Sequence, residues 1–297
     1  MNGISFKEMP WCCFLDFIKP GIDRFLVLKK ILNETGLVYS VPEIAGNRHF
    51  IIAPSSSRTG THKSPVILVA HYDRYDESPG ANDNSAGVFI LMEAAINLLK
   101  TKEKNWIIIF TDKEELKPGE GIMSQGAYTL AAGLKTLKLE KSRIFCFDVC
   151  GTGDTLIIST TLDYLLKRDG YREGEKTRKS LASLRNSALE AAGSLRKPKA
   201  YLAPTPLSDD AGFFRAGLAA QTLTVLPSRE YAKLRTELQK DPGFAEILVN
   251  AEMWKKKNNN AIPETWQILN SPKDNYMRLT PENFPMMVRF AEALCKN

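Results

Sequence analysis

Apolar residues are laid down along this chain in two rhythms. Five runs, PVILVA (65–70), WIIIFT (106–111), RIFCFDV (143–149), TLIIST (155–160) and QTLTVL (221–226), are short, rich in β-branched residues and bounded by turn formers, as expected of strands buried on both faces. Between them, apolar positions at three- and four-residue spacing predict helices over 85–99, 124–134 and 176–195. A closing helix is expected in PENFPMMVRFAEALCK, where Phe284, Val288, Ala291 and Cys295 share a face. An opening helix over Asp23 to Gly36, DRFLVLKKILNETG, ends at glycine and feeds two short strands around 37–40 and 49–53. Strands alternating with helices predict an α/β protein, a three-layer α/β/α arrangement around a mixed, centrally parallel sheet. No internal repeat is evident, and residues 1–297 read as a single domain with a polar, partly helical excursion at about 228–263.

In open sheets of this kind, ligands bind beyond the carboxyl ends of the strands, and the residues there carry unusual chemistry. PVILVA runs into HYDRYDESPGANDNSAG, which places His71 at a strand end with Asp73 two residues on, close enough to accept the proton of one ring nitrogen and so orient the other toward a metal. Gly80 permits a sharp turn, and Asn82, Asp83 or Ser85 is positioned to cap the following helix. WIIIFT ends in Asp112, Lys113, Glu114 and Glu115, an adjacent carboxylate pair able to divide metal binding from general-base work. Asp148 is flanked by Phe147 and Val149, so its carboxylate requires a charged partner or a metal.

The order HxD, PGANDN with SAG, DxEE and a strand-terminal aspartate resembles the co-catalytic zinc aminopeptidases, a family that includes bacterial leucyl aminopeptidases and, more distantly, glutamate carboxypeptidase, glutaminyl cyclase and the non-enzymatic transferrin receptor. The resemblance spans about Ile22 to Leu294. It implies that His71, Asp83 and Asp148 bind one zinc, that Asp83 bridges to a second zinc held by Glu115, that Glu114 is the general base, and that Asp73 supports His71. The family's last ligand is a histidine opening an HTxxD motif, and the matching segment here, ILNSPKDNY, has Asn270 in its place. Zinc favours nitrogen, sulfur and carboxylate over a neutral amide oxygen, so one firmly held zinc is expected, with a weak second position and Asn270 as a metal or substrate contact. In SDDAGFFRAGL the family commonly has SDH before the small residue; Asp210 takes that place, and Asp209 and Asp210 are assigned to the substrate side. The implied activity is metal-dependent hydrolysis of an N-terminal peptide or aminoacyl amide bond. The alternative is a catalytically impaired scaffold that binds a partner; glutaminyl cyclisation is further away, because in the family it uses the site that contains the last histidine.

Composition changes this picture little. With 297 residues, 43% of them hydrophobic, the chain can bury a large core. The start, MNGISFKEMPWCCFLDFIKP, has no apolar signal core, and no apolar run is long enough to span a bilayer. Five cysteines, with Cys12 and Cys13 adjacent, form neither a disulfide framework nor a CxxC zinc pair, so a cytoplasmic location is expected. The net charge is +6, and the basic stretches, Lys167 to Arg185 and WKKKNNN from Trp254, lack any recognition motif, so they read as solvated surface rather than a nucleic-acid or membrane site. His49 and His62 sit at positions where neither is expected to replace the missing ligand, and Trp254 and Trp266 either line a pocket or pack the excursion onto the core.

Overall fold

The computed structural model describes residues 7–54, 64–168, 174–196, 199–241, 243–249 and 261–296. Among these residues the strands are β1 (Tyr39–Ser40), β2 (Glu43–Ile44), β3 (Asn47–Arg48), β4 (Phe50–Ile52), β5 (Val66–His71), β6 (Trp106–Thr111), β7 (Arg143–Phe147), β8 (Thr155–Ser159), β9 (Lys199–Ala203) and β10 (Ala220–Leu226). The period of two along a strand separates two cores. From β5, Val66, Leu68 and Ala70 enter one and Ile67 and Val69 the other; from β7, Phe145 and Phe147 enter the first and Ile144 and Cys146 the second. The first core is covered by the helices Arg24–Thr35, Ala86–Lys100, Gly174–Gly193 and Phe284–Lys296, and the second by Gly126–Thr136 and Asp209–Arg215.

An eight-stranded sheet in the order β1-β4-β6-β5-β7-β10-β8-β9 forms the middle layer of this α/β/α fold. β6, β5, β7 and β10 run parallel, while β4 joins β6, and β8 joins β10, antiparallel. The antiparallel entry of β8 departs from a simple strand–helix alternation, and the cause is length. Only the stretch 148–154 separates β7 from β8, too short for the crossover of a dozen or so residues that a parallel neighbour needs. β9 is not predicted by the hydrophobic pattern, because KAYLA pairs only with β8 at the sheet edge and leaves Leu202 exposed.

The excursion folds onto the sheet. Tyr231 and Leu234 from the helix Ser228–Lys240, Phe244, Ile247 and Leu248 from Phe244–Val249, and Trp266 share a core with Val149, Ile157 and Leu226. Trp254, the WKKKNNN tract and His62 lie outside the described residues. In the basic stretch, Arg185 pairs with Asp163 and Lys179 with Glu175. No helix among the described residues is long and apolar enough to cross a membrane.

Candidate metal centre

The parallel strands deliver their terminal residues to one edge. His71 ends β5, Asp148 follows β7, and Asp83 arrives on the loop between β5 and the helix Ala86–Lys100. His71 Nε2 lies 3.1 Å from Asp83 Oδ1 and 3.4 Å from Asp148 Oδ1, and one ligand atom from each of the three residues falls within 4.8 Å of the others. Two donors about 2.0–2.1 Å from a tetrahedral zinc stand about 3.3 Å apart, so these separations already match a coordination shell. Both ring nitrogens of His71, together with Asp148 Oδ1, are buried without a hydrogen-bond partner. Such groups are costly to bury alone, and a divalent cation between them would satisfy Nε2 and the carboxylates.

Asp73 ties two loops together. Its Oδ1 is 3.4 Å from His71 Nδ1, and its carboxylate accepts from the backbone N–H of Glu114 (3.1 Å) and Glu115 (3.0 Å). Burial opposes its charge, but His71 and the two N–H groups outweigh burial and hold Asp73 below the ordinary carboxylate range. Burial likewise pulls His71 down, yet Asp148, Asp73 and Asp83 overrule it and hold the imidazole well above its usual value. An anionic pocket of this kind favours any cation, proton or metal.

The loop carrying Asp83 is held by residues that the sequence patterns do not single out. Arg24, on the helix capped by Asp23, is buried; its guanidinium donates to the carbonyls of Tyr72 (3.1 Å), Asp73 (3.0 Å), Pro79 (2.9 Å) and Gly80 (3.1 Å) and to Ser85 Oγ. Gly80 turns in the left-handed region (φ 58), and a Cβ there would meet Asp83 O at 2.7 Å and Arg24 Nη2 at 3.0 Å. Asp274, fully buried, accepts from the N–H groups of Asn82 (2.9 Å) and Asp83 (3.0 Å), while Asn82 Oδ1 accepts from Gly151 N (2.7 Å) and Asn84 Nδ2 donates to Phe147 O (2.7 Å). The expected helix cap is therefore not made. Asn82 and Ser85 serve the loop, and Asp83 faces His71. A trace of Arg24 was present in the sequence, since it falls at helical spacing with the buried Leu28, Ile31 and Leu32.

Beside this cluster stand the other predicted residues. Glu114 and Glu115 line a cleft of about 880 Å³, together with Asp83, Asp148, Trp266 and Asn270. Glu114 accepts from Gln125 Nε2 at 3.1 Å, and burial, reinforced by Glu115, Asp148 and Asp209 against His71, pushes its carboxyl well up. Burial and the Asp83 charge push Glu115 up to about 9. Asn270 reaches Glu115 as a donor, its Nδ2 lying 3.0 Å from Oε2, rather than presenting its oxygen alongside the carboxylate. His49 accepts from Asp112 N at 3.3 Å, outside the metal group. Asp209 and Asp210 do not line the cleft: Asp209 accepts from Thr111 Oγ1 (2.7 Å) and Asp210 from Ser208 N (3.0 Å), and the flanking Ser208 and Ala211 form the wall instead. Trp266 both packs in the third core and borders the cleft, with Leu248 and Leu269 nearby.

Comparison with known proteins fits this geometry. No curated protein sequence matches the chain. Among solved structures, it is similar to BSAP, a zinc aminopeptidase from Bacillus subtilis (21% identity, 84% of this chain, 48% of that one, TM-score 0.53). It is also similar to the LapA aminopeptidase of Legionella pneumophila (14% identity, 96% and 68%, TM-score 0.63) and to the glutaminyl cyclase of Porphyromonas gingivalis (16% identity, 95% and 92%, TM-score 0.60). The chain thus spans about half the length of the Bacillus enzyme. At these identities the likeness is one of fold. The sequence itself goes further, because the profile of peptidase family M28 matches residues 51–293, from β4 through the closing helix and across every residue of the metal cluster, and the chain belongs to that family.

Proposed function

We propose that the protein is a metal-dependent hydrolase that cleaves the amide bond of an amino-terminal residue in a peptide or aminoacyl amide, using one zinc held by His71, Asp83 and Asp148. The observation that carries this is the spacing of His71 Nε2 from Asp83 Oδ1 and Asp148 Oδ1, 3.1 and 3.4 Å, with His71 Nε2 and Asp148 Oδ1 buried and without a hydrogen-bond partner. Membership of family M28 and the likeness to zinc aminopeptidases support zinc and peptide substrates. When bound, the ion lowers the pKa of a water and polarises the scissile carbonyl. Glu114 lies in the cleft with its carboxyl pKa raised, as suits a general base that takes the proton of the attacking water and returns it to the leaving amine. Asp73 fixes the ring of His71, and Gln125 orients Glu114 through its 3.1 Å hydrogen bond. Apolar residues of the cleft, among them Ile122, Leu248 and Trp266, would receive the substrate side chain.

The test is hydrolysis of an aminoacyl amide with a free amine against its N-acetylated form, with zinc content measured on the same sample. Turnover of the free-amine substrate alone is expected. Glu114→Gln should lower kcat by at least about 100-fold, in line with the contribution of a general base, while zinc remains bound. Loss of zinc in that variant, or undiminished turnover, would refute the assignment. A second reading, a scaffold that binds without turnover, is favoured by the Asn270–Glu115 hydrogen bond, which engages one oxygen of a carboxylate that would otherwise help hold a second ion. Zinc bound in full with no hydrolysis of any free-amine substrate would decide for it.

A further inference from the structure

None of the five cysteines lines the hydrolytic cleft or joins its metal group, and two are placed unlike the others. Cys146, Cys150 and Cys295 are buried, whereas Cys12 is exposed and Cys13 half-buried. Unpaired cysteine is normally among the most buried of residues, so adjacent thiols at the surface invite a chemical explanation. The turn that carries them is firmly seated. Trp11 and Phe14, on either side of the pair, are buried; Trp11 stacks on Phe284 with ring centroids 4.8 Å apart, and its indole N–H donates to Glu93. On this frame Met9 Sδ lies 3.1 Å from Cys12 Sγ and 3.6 Å from Cys13 Sγ, and the two Sγ atoms are 3.8 Å apart.

We propose that Met9, Cys12 and Cys13 form a three-sulfur site for one soft monovalent cation, copper(I). Three sulfurs about 2.3 Å from a trigonal ion stand about 4 Å from one another, so the Cys12–Cys13 and Met9–Cys13 edges need to open by only a few tenths of an ångström, and the 3.1 Å Met9–Cys12 edge by about 0.9 Å through rotation of the flexible Met9 side chain. Thiolate and thioether together select copper(I). Zinc draws its ligands from cysteine, histidine and carboxylate rather than from a thioether, so the Met9 sulfur is what favours copper(I) here. Binding forms three copper–sulfur bonds and releases both thiol protons to solvent; the ion keeps its charge, and the complex of one cation and two thiolates carries a net charge of minus one. None of the three residues lines the hydrolytic cleft, so this site stands or falls apart from the proposed hydrolase.

The test is an anaerobic titration of the reduced, zinc-loaded full chain with copper(I) in competition with a chromogenic copper(I) chelator. One copper per chain is expected to be held against the chelator, and X-ray absorption should show three sulfur neighbours. Cys12→Ser and Cys13→Ser should each weaken binding by more than about 100-fold, since losing a ligand exceeds the roughly 10–100-fold cost of losing an outer-shell partner. Met9→Leu should remove one sulfur from the absorption spectrum and weaken binding less. Because Cys12 is exposed, Cys12→Ser should fold and keep the parental circular dichroism. Copper retained with unchanged affinity in both serine variants, copper yielded wholly to the chelator, or zinc held at these sulfurs as tightly as copper would each overturn the proposal.

Discussion

Arg24→Met tests whether the loop bearing Asp83 is held from beneath by one buried guanidinium. The substitution keeps an unbranched side chain on the buried face and removes the donors. Gly80 O retains Ser85 N (3.1 Å), and Pro79 O retains Arg74 Nη1 (3.3 Å), whereas the carbonyls of Tyr72 and Asp73 lose the contacts of 3.1 and 3.0 Å that Arg24 gives them. Leaving a buried acceptor unpaired costs about 1–3 kcal/mol, which makes about 2–6 kcal/mol for the two. Burial also disfavours the charge of Arg24, pulling its pKa down to about 9, and relief of that penalty brings the expected net loss to about 2–4 kcal/mol. For a chain of 297 residues with about 2.1 cal/mol/K of unfolding entropy per residue, the loss corresponds to a Tm lower by roughly 3–6 °C. Because the same loop sets the spacing of Asp83 from His71, zinc affinity should fall by about 10–100-fold. Calorimetric unfolding with chelator present, and zinc competition against a chromogenic chelator, measure the two effects separately. A variant whose metal-free Tm and zinc affinity both match the parent would refute the role given to Arg24.

Asn270→His should create a tighter second zinc position beside Glu115, seen as added stoichiometry in calorimetric titration, with affinity there raised by at least about tenfold. Asn270 sits at φ 57, and histidine, like asparagine, is among the residues that tolerate this region, so failure to gain zinc would count against the placement of Asn270 as the missing ligand rather than against folding. The metal-free protein should lose stability as pH rises. Burial raises Asp274, Asp209 and Asp210 to about 7 and Glu115 to about 9, far above the value of about 4 expected in the unfolded chain. The folded state therefore binds protons more tightly, and the stability this confers is full below about pH 4 and lost as pH climbs through 7 to 9. Saturating zinc should flatten or reverse that slope, because it competes with protons for His71, Asp83 and Asp148 and so binds the folded chain more tightly as pH rises. A Tm in chelator that is as high at pH 8.5 as at pH 5.5 would contradict the acidic cluster described here.

How far the sequence reveals this molecule depends on the reach of each interaction. The central strands are legible because burial on both faces imposes continuous apolar runs, and the residues that end them, His71 and Asp148, inherit their place at the sheet edge from strand direction alone. β9 escapes because an edge strand with an exposed Leu202 carries no such pattern. The supports of the site are harder still. Arg24 and Asp274 act across 49 and 192 positions of chain, on the carbonyl of Asp73 and on the N–H of Asn82, and their partners are backbone groups, which leave no residue-type signal at the other end. Asp209 and Asp210 show the converse. The resemblance of SDDAGFFRAGL to the family's pattern assigns them to the substrate side, but at the start of the helix Asp209–Arg215 they accept from Thr111 Oγ1 and Ser208 N instead.

The central claim, a single zinc among His71, Asp83 and Asp148, is tested most directly by anomalous diffraction at the zinc edge from crystals grown with the metal. One dominant peak is predicted within about 2.0–2.2 Å of His71 Nε2 and of carboxylate oxygens of Asp83 and Asp148, with little or none between Glu115 and Asn270. A peak of equal height beside Glu115, or no peak at His71, would contradict the account.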